Sequence, residues 1–189
     1  MDRDLGINIE IIGREVVFLE KYSKELIIRK AQREELKNIV DIFKNAIFVM
    51  NENNIPQWDE LYPNEEILKE DIEKEQMYLA VTEKDIAAVF VINREYDDGY
   101  IDGSWKYSDK TFVVLHRFCV NPQFQNKGYG GRTLRRMESM LKDMGVESIR
   151  LDAFPLNPYA IRMYEKQEYV KVGETNFRKG LFYLYEKKI

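Results

Sequence analysis

Val113-Val114-Leu115-His116-Arg117-Phe118-Cys119-Val120-Asn121-Pro122-Gln123-Phe124-Gln125-Asn126-Lys127-Gly128-Tyr129-Gly130-Gly131-Arg132 decides how this chain is read. Its apolar, β-branched start predicts a strand over 113–120. A helix is predicted over 132–144, where Leu134, Met137, Leu141 and Met144 share one face and Gly145 stands at the C′ position. Between them lies a glycine-rich turn. Glycine lets the backbone curl so that successive N–H groups point at one anion, and the following helix adds the positive end of its dipole. Strand, turn and helix in this order build a phosphate pocket, with a pyrophosphate as its natural guest.

Two common nucleotide-binding readings of such a turn fail. A P-loop needs Lys-Ser or Lys-Thr after its last glycine, whereas this turn continues Gly131-Arg132-Thr133. A dinucleotide fingerprint needs a third glycine where Thr133 stands and an early βαβ unit, and this turn arrives in the last third of the chain.

Working outward, the pattern predicts a short strand over 26–29 and a helix with Leu36, Ile39, Val40, Phe43 and Ile47 on one face. A polar loop over 51–63 carries Trp58 and Tyr62. A helix over 64–74 then leads into an antiparallel hairpin, 77–81 and 86–93, turning at Glu83-Lys84-Asp85. An aromatic, polar excursion carries Tyr100 and Trp105 up to the 113–120 strand. After the 132–144 helix come a strand over 148–153, a helix capped by Asn157 with Pro158 in its first position, and strands near 169–172 and 181–185. The sum is a mixed α/β sheet with helices on both faces, one domain over 25–189. Residues 1–24 read as a separate hairpin extension, 7–12 and 15–19 around Gly13-Arg14. An isolated hairpin is marginal in water, so it is expected to dock either on its own sheet or on a second subunit, the latter giving a homodimer, with a disordered leader as the alternative.

Composition bounds the rest. The chain has 189 residues, 44% of them hydrophobic, and no linker-like stretch, which fits one compact domain. With 29 basic and 33 acidic residues the net charge is −4, disfavouring nucleic acid as a partner and mildly favouring a cationic small molecule. The single cysteine, Cys119, excludes an internal disulfide and, in an apolar strand, reads as a small core residue rather than a nucleophile. No secretory signal opens the chain, and the longest apolar run, 86–92, is far short of the ~20 residues that cross a bilayer. A cytoplasmic protein with no membrane partner is expected. The only histidine, His116, lacks the neighbours of a nucleophilic triad, and His/Cys metal ligands are missing, so no metal is expected.

Val120-Asn121-Pro122 followed by Gln125-Asn126-Lys127-Gly128-Tyr129-Gly130 resembles the acyl-CoA signature of the GNAT superfamily of N-acetyltransferases. A second element agrees: Asn157-Pro158-Tyr159-Ala160-Ile161-Arg162-Met163-Tyr164, ending at Glu168-Tyr169, resembles that superfamily's Asn-x-x-Ala-x-x-x-Tyr-x-x-x-Gly-Phe segment. The likeness is strong over 113–172 and architectural before it. Two residues depart from the pattern, Glu168 for glycine and Tyr169 for phenylalanine. Because a left-handed C′ position costs Glu more than Gly, a different helix ending is expected there.

The resemblance implies a central mixed, mostly antiparallel sheet and acetyl-CoA as co-substrate. It implies that backbone along Phe118-Cys119-Val120 pairs with the pantetheine amides. In the signature Gln125 to Arg132, N–H groups of Lys127, Gly128, Tyr129, Gly130, Gly131 and Arg132 are implied to hold the pyrophosphate, with Lys127 and Arg132 adding charge. Asn157 is either a plain N-cap or a CoA ligand as well. Tyr164 is implied as the general acid that protonates the leaving thiolate, against the alternative of a core tyrosine. For the general base, Asp152 matches a carboxylate position of several members, His116 is the second candidate, and a water relay is the third. Glu95, Asp97 and Asp98 either bind a cationic acceptor or form a solvated charge run. Trp58, Tyr62, Tyr100 and Trp105 either wall a pocket or anchor loops.

The expected function is N-acetyl transfer from acetyl-CoA to a primary amine by direct attack in a ternary complex, with a small-molecule acceptor. The rivals are a non-catalytic acyl-CoA sensor and a transferase acting on a protein N-terminus or lysine.

Overall fold

The computed structural model describes residues 7–12, 15–20 and 26–189, the first two stretches only as paired backbone. Strands β1 (Ile7–Ile12) and β2 (Glu15–Glu20) pair antiparallel, with Ile12 opposite Glu15, as a two-stranded sheet of their own. The Gly13-Arg14 turn and the docking expected of this extension lie outside the described residues.

The main sheet has seven strands: β3 (Ile27–Lys30), β4 (Met77–Val81), β5 (Ile86–Asn93), β6 (Phe112–Val120), β7 (Ser148–Ala153), β8 (Val170–Phe177) and β9 (Gly180–Lys188). Their order is β3-β4-β5-β6-β7-β9-β8, and every neighbouring pair is antiparallel except β6 with β7. The expected mixed, mostly antiparallel sheet is therefore present. Four helices flank it: α1 (Leu36–Glu52), α2 (Glu65–Glu73), α3 (Tyr129–Asp143) and α4 (Pro158–Lys166).

Alternation along β5 assigns the two faces. Val89 and Val91 pack with Ile39, Phe43 and Ala46 of α1 and Leu68 and Ile72 of α2, while Phe90 and Ile92 pack with Leu134, Met137 and Leu141 of α3 and with Tyr164 of α4. β5 is buried from Ala87 to Ile92 because both faces are covered. Each large side chain sealed there is worth about 1.5–3 kcal/mol. Asn64 caps α2, its Oδ1 accepting from Ile67 N at 3.0 Å, as its type and place predict.

One irregularity organises the site. Val113 and Leu115 of β6 face the α3 layer, and strict alternation would put Arg117 and Cys119 there too. The β5–β6 register instead shifts between Val89 and Val91, and Arg117 takes φ 49°. This bulge reverses the phase, so that Cys119 packs in the α1 layer and Phe118 against the α3 layer. Its neighbour on the other side leaves early: β7 pairs β6 only from Phe112 to Leu115. Beyond Leu115 the two parallel strands diverge, and a cleft opens between them.

Two expectations are corrected. Helix α3 starts at Tyr129, three residues before the predicted start, because Gly128 takes φ 78° and lets the glycine pair enter the first turn. The last two strands are longer than predicted: β8 is a half-solvated edge with little apolar alternation to mark its length. Among the described residues no helix is long and apolar enough to cross a membrane.

Candidate active site

The cleft encloses about 970 Å³ and is continuous from the glycine turn to the loop before α2. It brings together Phe118, Cys119, Val120, Gln125, Asn126, Gly128, Tyr129, Gly130, Gly131, Asp152, Asn157, Tyr164 and His116. Such a volume suits a ligand well beyond a single small metabolite.

One half is built largely from backbone. Helix α3 leaves its first N–H groups without intrahelical partners, and they face the cleft at the end of a dipole. The Arg132 amide is not among them: it already donates to Gly128 O at 3.2 Å, since the helix begins early. The donors left at the turn are thus those up to Gly131. Lys127 Nζ folds back on Gln123 O at 2.8 Å, and the Arg132 guanidinium lies 5.0 Å from the Tyr129 ring centre. A Cβ at Gly130 would stand 2.6 Å from Met163 Sδ and 3.3 Å from a Val120 methyl, so glycine lets α3 approach both α4 and the end of β6. The Val120 carbonyl accepts from Gln125 Nε2 at 3.2 Å, while the β7 side of β6 beyond Leu115 has no strand partner. Unpaired edge backbone is what an extended amide chain can add to as one more strand.

Cys119 lines this half through its backbone position only. Its side chain lies in the α1 core, and burial pushes the thiol up to about 12, so it stays protonated and inert.

Asn157 Oδ1 accepts from Ala160 N at 3.1 Å, the N-cap bond, and its Nδ2 donates to Gln57 Oε1 at 2.8 Å, tying α4 to the 53–64 loop. Glu168 takes φ 64° and the Glu168 and Tyr169 amides donate to Glu165 O and Tyr164 O. The different helix ending expected there does not occur: Glu adopts the left-handed conformation that glycine favours.

Tyr164 is 6% exposed and is held among rings, with Phe118 at 6.5 Å, Tyr169 at 5.7 Å and Tyr185 at 6.4 Å between centroids. Burial first, and then the Asp152 charge, push its phenol well above the ordinary tyrosine range. The β6 bulge is what puts Phe118 beside it.

Asp152 stands near the end of β7, one residue past Leu151, the last to pair with β6. It is half-buried, lines the cleft, and accepts a 2.9 Å hydrogen bond from Tyr100 OH. Desolvation raises its carboxyl to about 6, against the lowering effect of the Tyr100 bond. His116 lies nearby with Nε2 3.0 Å from both Asn93 Oδ1 and Glu95 O. Asn93 Nδ2 donates to Gln76 Oε1, so its oxygen faces the ring and Nε2 carries the proton. Desolvation and then the Arg117 charge lower the imidazole to about 4. It is neutral near pH 7 and a weaker base there than Asp152.

The loops named for their aromatics go separate ways. Trp58, packed 5.3 Å from Phe43, and Tyr62 line the cleft. Tyr100 instead stacks on Trp105 at 5.5 Å beside Val114 and Leu184, where Arg150 lies 4.4 Å from the Trp105 ring. Tyr100 reaches the site through its bond to Asp152 and through its ring contact with Phe177, 6.4 Å between centroids. Of the acidic run, Asp97 lines the cleft.

Sequence reasoning missed three contributors. Arg117 sits at the bulge, ion-paired to Asp71 of α2 at 3.2 Å and 5.3 Å from the Tyr62 ring centre. Arg178 and Lys179, the two-residue turn between β8 and β9, close on Asp59 at 2.9 and 2.7 Å and bridge over the 53–64 loop. A polar His-Arg pair inside an apolar strand was the one available signal for the bulge.

A diverging parallel pair in a mixed sheet, with a glycine-started helix facing the gap, is the architecture of an acyl-CoA-dependent transferase. The Acetyltransferase (GNAT) family matches over residues 41–169, and the chain belongs to that family. Its fold is similar to a GNAT-family acetyltransferase of Streptococcus agalactiae 2603, with a TM-score of 0.78 at 19% identity, covering 87% of this chain and 95% of the other. It is also similar to the PaiA N-acetyltransferase of Thermoplasma acidophilum, solved in complex with coenzyme A, with a TM-score of 0.63 at 18% identity over 87% of this chain and 99% of the other. In sequence it is 36% identical over 73 residues to the S-(2-succino)cysteine N-acetyltransferase of Bacillus subtilis, a match spanning 38% of this chain and 44% of that protein.

Proposed function

We propose that the protein transfers an acetyl group from acetyl-CoA directly to the primary amine of a small molecule bound in the same cleft. The observation that carries this reading is the meeting of Asp152 and Tyr164 at the divergence of β6 and β7, with the α3 N-terminus at one end of the cleft.

Each residue has a task that its surroundings support. The turn through Gly131 and the α3 dipole hold the pyrophosphate, and the free edge of β6 along Phe118, Cys119 and Val120 aligns the pantetheine arm. Acetyl-CoA supplies the activated carbonyl and a thiolate leaving group. Asp152, ionised above about pH 6, takes the proton that the amine must lose before or during attack. Tyr164, kept neutral by burial, donates its proton toward the departing sulfur, whose own basicity rises in the same dry cavity. The amine nitrogen gains the acetyl carbon as the carbon–sulfur bond breaks. His116 holds the strand end in place through Asn93 and Glu95. Asn157 acts as cap and loop tie, leaving CoA to the neighbouring backbone.

The relative from Bacillus subtilis is named for a small amine acceptor, which supports a small-molecule substrate here. A sensor has no use for an ionisable pair such as Asp152 and Tyr164 at this point. A cytoplasmic location and a homodimer made through the β1–β2 hairpin belong to the same proposal.

The test is thiol release from saturating acetyl-CoA across amino acids, polyamines, aminoglycosides and short peptides, with calorimetric CoA binding alongside. Release with one small-amine class supports the reading. CoA binding without release from any small amine, or release with peptides alone, overturns it.

A further inference from the structure

Resting on that acetyl-transfer reading, we propose that the acceptor is a zwitterion of the α-amino acid type, its carboxylate held by Arg117 and its amine facing Asp152 and Asp97. Three cations line the acceptor half of the cleft: Arg117, Arg178 and Lys179. Two of them are spent. Arg178 makes a two-pronged contact with Asp59, 2.9 Å at each nitrogen, and Lys179 adds a third at 2.7 Å, a clasp that already satisfies the charges it joins.

Arg117 differs. Its side chain is only 15% exposed, yet it meets Asp71 through a single 3.2 Å contact, and the pair is not the parallel fork that arginine and carboxylate form when both are free to align. Its buried Nε has no partner, nor has the second oxygen of Asp71. A guanidinium offers five donors, and leaving one buried and unmade costs about 1–3 kcal/mol. The residue also holds a left-handed φ of 49°, which costs a non-glycine residue about 1–3 kcal/mol more. The fold keeps both costs at a cleft wall, beside the Tyr62 ring, and a carboxylate entering the cleft would fill the open donors.

The opposite charge stands within reach of the same ligand. Asp152 and Asp97 line the same cleft, and the field of Arg117 is felt at Asp152 and at His116. An α-amino acid carries its ammonium and carboxylate on one carbon, so it needs this arrangement of both signs in one small space. A polyamine carries no carboxylate for Arg117 and would bring a further ammonium group toward it. The preference departs from the cationic partner that net charge suggested, because a whole-chain balance of −4 says nothing of one buried guanidinium.

The experiment compares matched acceptors, an α-amino acid against its α-carboxamide and its decarboxylated amine, by thiol release from saturating acetyl-CoA over a set of side chains. For the wild type, kcat/KM is expected to favour the free carboxylate by about 10- to 100-fold, mostly through KM. In Arg117→Gln that ratio is expected to collapse toward one, with Arg117→Lys keeping part of it, and CoA affinity serves as the folding control. Wild-type turnover of the amide or the plain amine as good as that of the acid overturns the proposal without any variant. Equal loss for all three acceptors in Arg117→Gln also overturns it. Release that ignores the carboxylate removes the zwitterion but leaves acetyl transfer standing, whereas CoA binding with no release from any amine removes both.

Discussion

The two halves of the cleft are built on opposite principles. The CoA half comes from one run of chain, 112–143, in which a strand end, a left-handed glycine and a helix start present backbone groups. The acceptor half gathers side chains from α1, the 53–64 loop, the β6 bulge, β7 and the β8–β9 turn, joined by contacts as distant in sequence as Asp59 with Arg178. A ligand held by backbone needs only glycines at fixed spacing. A ligand read by side chains needs residues that tertiary structure alone brings together.

The largest effect should come from the residue at the junction. Asp152→Asn is expected to lower kcat by about 10²- to 10⁴-fold, the usual worth of a general base, with CoA affinity retained in calorimetry. In the wild type the rate should fall as pH drops through about 6, because the protonated carboxyl cannot accept a proton. The residual activity of the variant should lose that limb. Asp71, also raised to about 6 by burial, tests the assignment: Asp71→Asn should keep the limb if Asp152 is its source.

The same shift predicts a stability effect of opposite sense. The folded value of Asp152, about 6, lies above the reference value 3.8, so the fold favours the protonated form. The resulting stabilisation is complete below about 3.8 and is lost as pH rises through 6. Asp152→Asn should therefore unfold at a higher temperature than the wild type at pH 8, by up to about 3 kcal/mol in stability, with the gap closing at pH 4. A variant less stable at both pH values would show the carboxylate to be structural.

In the CoA half, Gly128→Val should weaken CoA binding about 10-fold or more, since a β-branched residue resists the φ of 78° on which the turn depends. No protein side chain crowds that position, so any loss reports the backbone conformation and the ligand's close approach to it rather than a clash within the fold. Unchanged affinity would break the claim that this half works through its backbone.

The smallest expected effect is a gain. Glu168→Gly relieves a φ of 64° at the end of α4 and should stabilise the protein by about 1 kcal/mol in a denaturant titration, with turnover unchanged.

The asymmetry also explains what could be read from the sequence. The helix face of Leu134, Met137 and Leu141, the turn, and the Asn157 cap follow from local spacing, and each appears as expected. Arg117 was hidden because strand alternation assumes an unbroken register, and one extra residue opposite β5 reverses it. Tyr100 was read with the loop aromatics, but its place under Asp152 depends on a contact 52 positions away. The early start of α3 escaped because glycines read as turn, and only the left-handed Gly128 shows where the helix takes over.

The most direct test of the division is turnover of Tyr164→Phe at saturating acetyl-CoA, read with its CoA affinity. The account predicts a kcat reduced by about 10² or more and a CoA dissociation constant within about twofold of the wild type, since the ring stays among Phe118, Tyr169 and Tyr185 and only the phenol proton is lost. Wild-type turnover would contradict the account by removing Tyr164 from the chemistry.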